Sequence, residues 1–296
     1  MIYSDPCQNE SEAFGEGKIM KEVFKRVEKK YLLSKFQYYA LRKLLEDYAE
    51  VDQYGKTQIL NIYYDTDDFR LIRTSIDKPV YKEKLRLRSY GVPTDRSNAF
   101  VELKKKFQGV VYKRRIPMSY ADAEQYLNSG VAGCQDWTDE ERQIFGEIDF
   151  FRQRNGGLSP KMVVAYDRIA LVGKQDPELR ITFDENIRWR IGDLDLRCGG
   201  EGEQLLEDGQ YLMEIKITGA MPLVIAQMLS RLRIYPISYS KYGAAYLRLL
   251  QQQTERMADR IIADDRLEKS RARRAQRRTV TGRTALWFLQ GSPALT

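Results

Sequence analysis

Lys84-Leu85-Arg86-Leu87-Arg88 alternates a cation with a leucine at every step. In a β-strand, residues two apart share a face, so this stretch puts leucines on one side and cations on the other. The pattern recurs in Arg26-x-Glu28-x-Lys30, Glu102-x-Lys104-x-Lys106, Lys113-x-Arg115, Arg180-x-Thr182-x-Asp184 and Glu214-x-Lys216. The opposite faces carry Val101, Leu103, Ile181, Phe183, Ile215 and Ile217. One such strand is ordinary for a half-exposed antiparallel sheet. Repeated along the chain, the pattern implies apolar faces packed against helices and charged faces lining a common interior. Like charges on one face stand about 7 Å apart, and they repel unless an anion sits between them. Arg dominates, and its fork matches phosphate oxygens. The interior therefore reads as a container for a polyanion and its metal. On this reading, Arg86→Ala and Arg88→Ala would leave the empty protein no less stable. The carboxylates Glu28, Glu102, Asp184 and Glu214 are either hard oxygen ligands for Mg²⁺ or Mn²⁺, or counter-ions for the lysines.

Working outward, strand-like runs are expected at about 22–32, 58–64, 80–90, 98–107, 109–118, 161–173, 179–191 and 210–218. Between them, Ser34 opens a stretch with Tyr38, Leu41, Leu44, Leu45 and Tyr48 at helical spacing. Ser119 caps a short helix, Thr138 and Glu141 form a capping box, Pro222 sits at a first helical turn, and Ser240 caps a last helix. Long strands following one another, with helices interspersed, predict an α+β class: an antiparallel sheet or barrel with helices outside. Residues 1–18 are expected to be disordered and 19–250 to form the folded domain. Residues 251–296 are expected to be a helical extension and a basic, disordered tail.

Composition narrows the chemistry. The 296 residues include no histidine. Ser-His-Asp and Cys-His catalysis, His-ligated zinc and a phosphohistidine intermediate are thereby excluded. Cys7, Cys134 and Cys198 are far apart and form no C-x-x-C, which fits a reduced, cytoplasmic setting. No apolar run is long enough to span a membrane and no secretory leader is evident. The net charge of +7 sits mostly in residues 251–296, with ten Lys/Arg against five Asp/Glu, so no nucleic-acid surface follows from the global charge. Gly55-Lys56-Thr57 resembles the end of a P-loop, but Glu50 stands where its first glycine belongs, and Gly15-x-Gly17 lacks the rest of a dinucleotide fingerprint. A triphosphate would be held by side chains.

In order, the chain reads Arg26-Val-Glu28-Lys-Lys30-Tyr31, Ile62-Tyr63-Tyr64-Asp65-Thr66, Leu85-Arg86-Leu-Arg88-Ser-Tyr90-Gly91 and Phe100-Val-Glu102-Leu-Lys104. Then come Lys113-Arg-Arg115, Tyr166-Asp-Arg168, Arg180-Ile-Thr182-Phe-Asp184, Glu214-Ile-Lys216 and Ser240-Lys241-Tyr242. This ordered set resembles the VTC catalytic domain, the polyphosphate polymerase branch of the CYTH-like triphosphate tunnel metalloenzymes. Arg26 stands where the hydrolase branch has a first Glu, which favours the polymerase branch. No segment resembles the phosphate-sensing SPX region or the membrane span that accompany the domain in fungal proteins.

The resemblance implies a tunnel of about eight antiparallel strands and a metal-dependent transfer of the ATP γ-phosphate to a growing polyphosphate chain. Carried over by position, it implies catalytic roles for Lys30, Arg86, Arg88, Lys104, Arg180 and Lys216. Phosphate or nucleotide contacts would come from Arg26, Lys84, Lys113 and Arg115, and from Arg168, Ser240, Lys241 and Tyr242. Glu214 is the first choice for Mn²⁺ or Mg²⁺, with Glu28 and Glu102 after it. The expected partners are ATP and inorganic polyphosphate, with no specific nucleic acid, and a membrane protein that receives the product. The alternatives are a tripolyphosphatase or nucleoside triphosphatase of the same fold, and a non-catalytic polyphosphate-binding module.

Overall fold

The computed structural model describes residues 26–108, 110–133 and 137–289, with side chains described from Val27 to Arg271. The segment expected to be disordered, 1–18, lies outside the described residues, as do residues 290–296 and the Arg26 side chain. The elements run β1 (Arg26–Leu33), α1 (Lys35–Leu45), β2 (Ala49–Asp65), α2 (Arg70–Ile76), β3 (Tyr81–Tyr90), β4 (Asn98–Phe107), β5 (Val110–Ser119) and α3 (Tyr120–Ser129). There follow α4 (Asp139–Asn155), β6 (Ser159–Gly173), β7 (Arg180–Arg190), β8 (Glu203–Gln204), β9 (Tyr211–Thr218), α5 (Leu223–Arg231), β10 (Pro236–Ile237) and α6 (Lys241–Leu289).

All pairings are antiparallel, in one sheet of order β10-β1-β9-β7-β6-β2-β3-β4-β5, with β8 beside β7. The class is therefore the expected α+β one. The alternation in the sequence sorts its two faces. Leu85, Leu87, Val101 and Leu103 pack outward against Tyr120 and Tyr126 of α3 and Ile148 and Phe151 of α4. Tyr31, Ile181, Phe183, Ile215 and Ile217 pack outward against Leu41 and Leu45 of α1 and Ile225 and Leu229 of α5. The charged sides face each other. Five strands separate β1 from β4 in the sheet, yet Lys104 Nζ of β4 lies 3.7 Å from Glu28 Oε2 of β1. Among the described residues, the sheet thus curls into an approximate barrel without hydrogen-bonded closure.

One helix lies where the pattern gave no warning. The start of α6 packs on the concave side, with Tyr242, Ala245, Tyr246 and Leu249 against Ile59, Tyr63, Met162, Val164, Ile187 and Leu212. One end of the interior is thus a hydrophobic core, and the rest is charged. The same helix continues past residue 250 to Leu289 as a single element. Among the described residues no helix is long and apolar enough to cross a membrane.

Two further differences have local causes. Strand β2 begins at Ala49 rather than 58 because its first half is exposed and carries a register shift between Val51 and Lys56, which erases the period-two signal. Helix α2 has seven residues, too few to show periodicity. Asp65 anchors it: Oδ1 accepts from the Thr66 and Leu71 amides at 2.8 Å each, and Oδ2 accepts from the Ile72 amide and the Tyr242 hydroxyl at 3.0 Å. The Thr66 hydroxyl accepts from the Arg70 amide at 2.9 Å.

Asp65 is fully buried, so Asp65→Ala would leave three amides and a phenol without a partner. The expected cost is about 3 kcal/mol, read as a lowered denaturant midpoint. An unchanged midpoint would show that α2 and α6 are held by something else.

Candidate functional site

The strands place the charged residues in registered rows. Arg86 of β3 stands opposite Glu102 of β4, which stands opposite Arg115 of β5. Lys84, Lys104 and Lys113 form the next row. Across the barrel, Lys30 of β1 faces Glu214 of β9, which faces Thr182 of β7, and Arg168 of β6 faces Asp184 of β7.

Each carboxylate on this face is shared among cations. Glu102, 1 % exposed, lies 2.6 Å from Arg86 Nη2, 2.8 Å from Lys113 Nζ, 3.6 Å from Arg115 Nε and 3.9 Å from Arg88 Nε. Asp184 holds Arg168 Nε at 2.6 Å and Nη2 at 2.8 Å, a bidentate pair, and also Lys241 Nζ at 2.5 Å. Glu214 takes Lys30 at 2.6 Å, Lys241 at 3.6 Å, and Arg168 and Lys216 at 4.0 Å. Glu28 takes Lys30 at 3.3 Å and Lys104 at 3.7 Å. Burial works against charge at Glu214, but Lys241, Lys30, Arg168 and Lys216 hold its carboxyl well below the ordinary range. The same balance holds Glu102 down through Arg86, Arg88 and Lys113, and Asp184 through Lys241 and Arg168.

The cations are not all satisfied in return. Burial and the neighbouring Lys104, Lys82, Lys30 and Arg86 push the Lys84 amine down to about 7. Lys113 falls to about 8 through burial, which outweighs its pairing with Glu102. Lys104 is lowered by burial despite Glu28. Burial alone would raise the Tyr166 phenol, but Arg88, Arg168 and Lys241 bring it down to about 8. After internal pairing the concave face keeps an excess of positive charge, which is the electrostatic form of a polyanion site.

Of the remaining residues expected here, Arg88 is buried and donates to Asn61 Oδ1 at 2.9 Å and to the Tyr166 hydroxyl at 3.1 Å. Arg180 is exposed and shares a face with Thr182 and Asp184, opposite Lys216. Ser240 accepts from Lys84 at 2.8 Å, and Lys241 opens α6. Tyr242, expected among the phosphate contacts, is buried, stacked on Tyr63 at 4.3 Å and hydrogen-bonded to Asp65. Asn61, Tyr63 and Tyr166 belong to the site although the alternating-charge pattern does not include them. Their signal is position: Asn61 and Tyr63 share a face of β2, and Tyr166 is two residues before Arg168.

For a divalent cation, the donors divide. Glu102 and Glu214 each lie within 4.0 Å of four cations, but Glu102 has two of them within 2.8 Å and Glu214 one, so Glu102 suits a counter-ion role better. Glu28 and Glu214 share Lys30, and the charge on Glu214 opposes ionisation of both Glu28 and Asp184. The buried Thr182 hydroxyl, in register with Glu214, has no protein hydrogen-bond partner. Among the described residues no group of three ligating side chains gathers. Glu28 and Glu214 are thus the carboxylates on this face left to offer oxygens to a divalent cation.

The Glu102 cluster corrects the expected stability of the arginine variants. The anion between Arg86 and Arg88 is the protein's own, so Arg86→Ala would leave Glu102 buried with its shortest partner gone and the Tyr63 hydroxyl without its contact. The expected loss is about 3 kcal/mol, at the lower end for breaking a buried pair because Lys113 remains. Denaturant unfolding of the phosphate-free protein checks it; unchanged stability would restore the repulsion argument.

Comparison with known proteins places the chain in a family. The sequence profile of the VTC domain matches residues 25–250. Subunit 4 of the vacuolar transporter chaperone complex of Schizosaccharomyces pombe is 27 % identical over 147 residues, which is 44 % of this chain and 20 % of that protein. The match thus spans about a fifth of the relative's length. Among solved structures, a candidate adenylate cyclase of Bacillus halodurans aligns at 16 % identity over 73 % of this chain and 95 % of its own, with a TM-score of 0.43. A candidate adenylyl cyclase of Hippeastrum, described as having a dominant triphosphatase activity, aligns at 14 % identity over 74 % and 93 %, with a TM-score of 0.44. Likenesses at these scores carry no weight for fold or for function. The profile covers most of the chain and its charged strands, and the chain belongs to the VTC domain family.

Proposed function

We propose that this protein transfers the γ-phosphate of ATP to the end of a polyphosphate chain bound on the concave face. The observation that carries the reading is the charge left over there. The four carboxylates are already shared by cations. Lys104 and Lys216 have only loose anionic partners, at 3.7 Å and 4.0 Å, and Lys84 bonds to a neutral hydroxyl. A phosphate chain supplies what those groups lack.

The chemistry suits the residue types. Phosphoryl transfer asks for alignment and charge neutralisation more than for covalent participation. The terminal oxygen of the acceptor chain is already anionic. It attacks the γ-phosphorus, the β–γ bridging bond breaks, and ADP leaves with the electron pair. No strong base is required, consistent with a histidine-free chain. In this account Lys30, Arg86, Lys104 and Lys216 hold the phosphates in line, with Arg88 and Arg180 beside them. Arg168, Lys241 and Ser240 close the inner end, where the N-terminus of α6 also favours an anion. Lys84, Lys113 and Arg115 extend the cationic wall across β3 to β5. Glu214, with Glu28, would hold the divalent ion, which when bound neutralises charge on the β- and γ-oxygens. Because the fungal relative is a subunit of a complex, we place this chain beside partner proteins as well.

Purified protein incubated with ATP and Mn²⁺ is expected to yield a polyphosphate ladder on a gel with matching ADP. Glu214→Gln should lower turnover on the order of 100-fold or more while leaving polyphosphate binding nearly intact. Free phosphate without polymer would make the protein a hydrolase, and unaltered turnover in Glu214→Gln would remove Glu214 from the metal site.

A further inference from the structure

Lys84 lacks the carboxylate that Lys30, Lys104, Lys113, Lys216 and Lys241 each have within 4.0 Å. Its one hydrogen-bond partner is a neutral hydroxyl, Ser240 Oγ at 2.8 Å. Among the described residues it makes no ion pair within 4.0 Å. The charged neighbours that act on it most strongly have its own sign: Lys82 and Arg86 on β3, Lys104 on β4 and Lys30 on β1. Beyond them stand Glu28 and Glu214, which pair with Lys30 and Lys104, and Asp184, which pairs with Lys241 beside Ser240. From the inner end it meets the start of α6, because Ser240 Oγ also accepts from the Gly243 amide at 3.1 Å, and a helix N-terminus adds positive potential. Lys30 shows the contrast. Burial would lower its amine too, but Glu214 and Glu28 hold it above its usual value. Two lysines on one face thus have opposite electrostatic fates: two carboxylates outweigh burial at Lys30, and no described carboxylate lies within 4.0 Å of Lys84.

We infer that Lys84 couples the entry of a polyphosphate chain to the uptake of a proton, standing as a neutral amine in the empty site and as an ammonium against phosphate oxygens in the filled one. The inference rests on the concave face being the phosphate site. The proton comes from solvent and goes to the Nζ lone pair, and no covalent bond to phosphate forms or breaks. The Ser240 hydroxyl suits both states, since it can donate to a neutral amine and accept from an ammonium. The arrangement spares the empty protein one uncompensated charge and restores it where a polyanion needs it. Binding should therefore weaken with rising pH more steeply than a lining of fixed charges would allow. Lys113 and Tyr166, each near 8, and the lowered Lys104 can also respond, so the contribution of Lys84 is read by difference.

The test is calorimetric titration of tripolyphosphate into the metal-free full chain at pH 8, in two buffers of different ionisation heat. Wild type, Lys84→Arg and Lys84→Met are compared. Arginine keeps the cation but does not titrate. Proton uptake should fall by roughly 0.9 per site in both variants, the neutral share at pH 8 of a group near 7. Affinity should persist in Lys84→Arg and drop in Lys84→Met. Intact binding with undiminished uptake in Lys84→Arg would overturn this inference alone. No binding of tripolyphosphate by wild type would overturn the concave-face reading and this inference with it.

Discussion

The structure depends on a cost: charges of one sign gathered on a concave, partly desolvated surface repel one another. The fold meets part of that cost itself. Glu102 sits among Arg86, Arg88, Lys113 and Arg115, and Asp184 among Arg168 and Lys241, at distances that make each an internal counter-ion. These two carboxylates are buried, and they can stay ionised only because the cations are there. The cations are held in fixed positions in return. What the fold leaves unmet is concentrated at Lys104 and Lys216, facing the interior, with Lys84 adding its charge when an anion enters. Preorganised positive charge without its full complement of anions is the physical basis for reading this face as a phosphate site.

The two sides of the sheet do different work, and the period-two alternation keeps them apart. The outward leucines and isoleucines bury themselves under α1, α3, α4 and α5, and that packing holds the strands in register. Register then decides which charge meets which, since a slip of one residue would send every cation outward. At the inner end, α6 replaces charge with aromatic and aliphatic packing and brings Ser240 and Lys241 to the boundary. Asp65 fastens this arrangement by holding both the start of α2 and the Tyr242 hydroxyl. The anchor of the architecture and the charged site therefore meet at consecutive residues.

Much of this was legible in the sequence, because alternation is a property of single strands. The spans of β3, β4, β5, β7 and β9, their outward apolar partners and the caps at Ser34, Ser119 and Thr138 follow from local pattern and capping chemistry. What escaped depends on relations between distant segments. The exposed first half of β2 has no buried face to reveal its period, and α2 is shorter than two helical repeats. The concave position of α6 is set by Tyr63, Met162 and Leu212, which lie on three different strands. Most telling is Glu102. Its spacing from Lys104 showed that both share a face, but only the register between β3, β4 and β5 shows that it stands between the arginines rather than apart from them.

The central claim, that the uncompensated cations of the concave face hold a phosphate chain, is tested most directly by a crystal structure with tripolyphosphate bound. The account predicts phosphate groups inside the curl of the sheet, within hydrogen-bonding distance of Lys30, Lys104, Arg86 and Lys216, with the Glu102 and Asp184 pairs undisturbed. Tripolyphosphate bound on the outer helices or along the extended part of α6, with the concave side chains still paired only to one another, would contradict it.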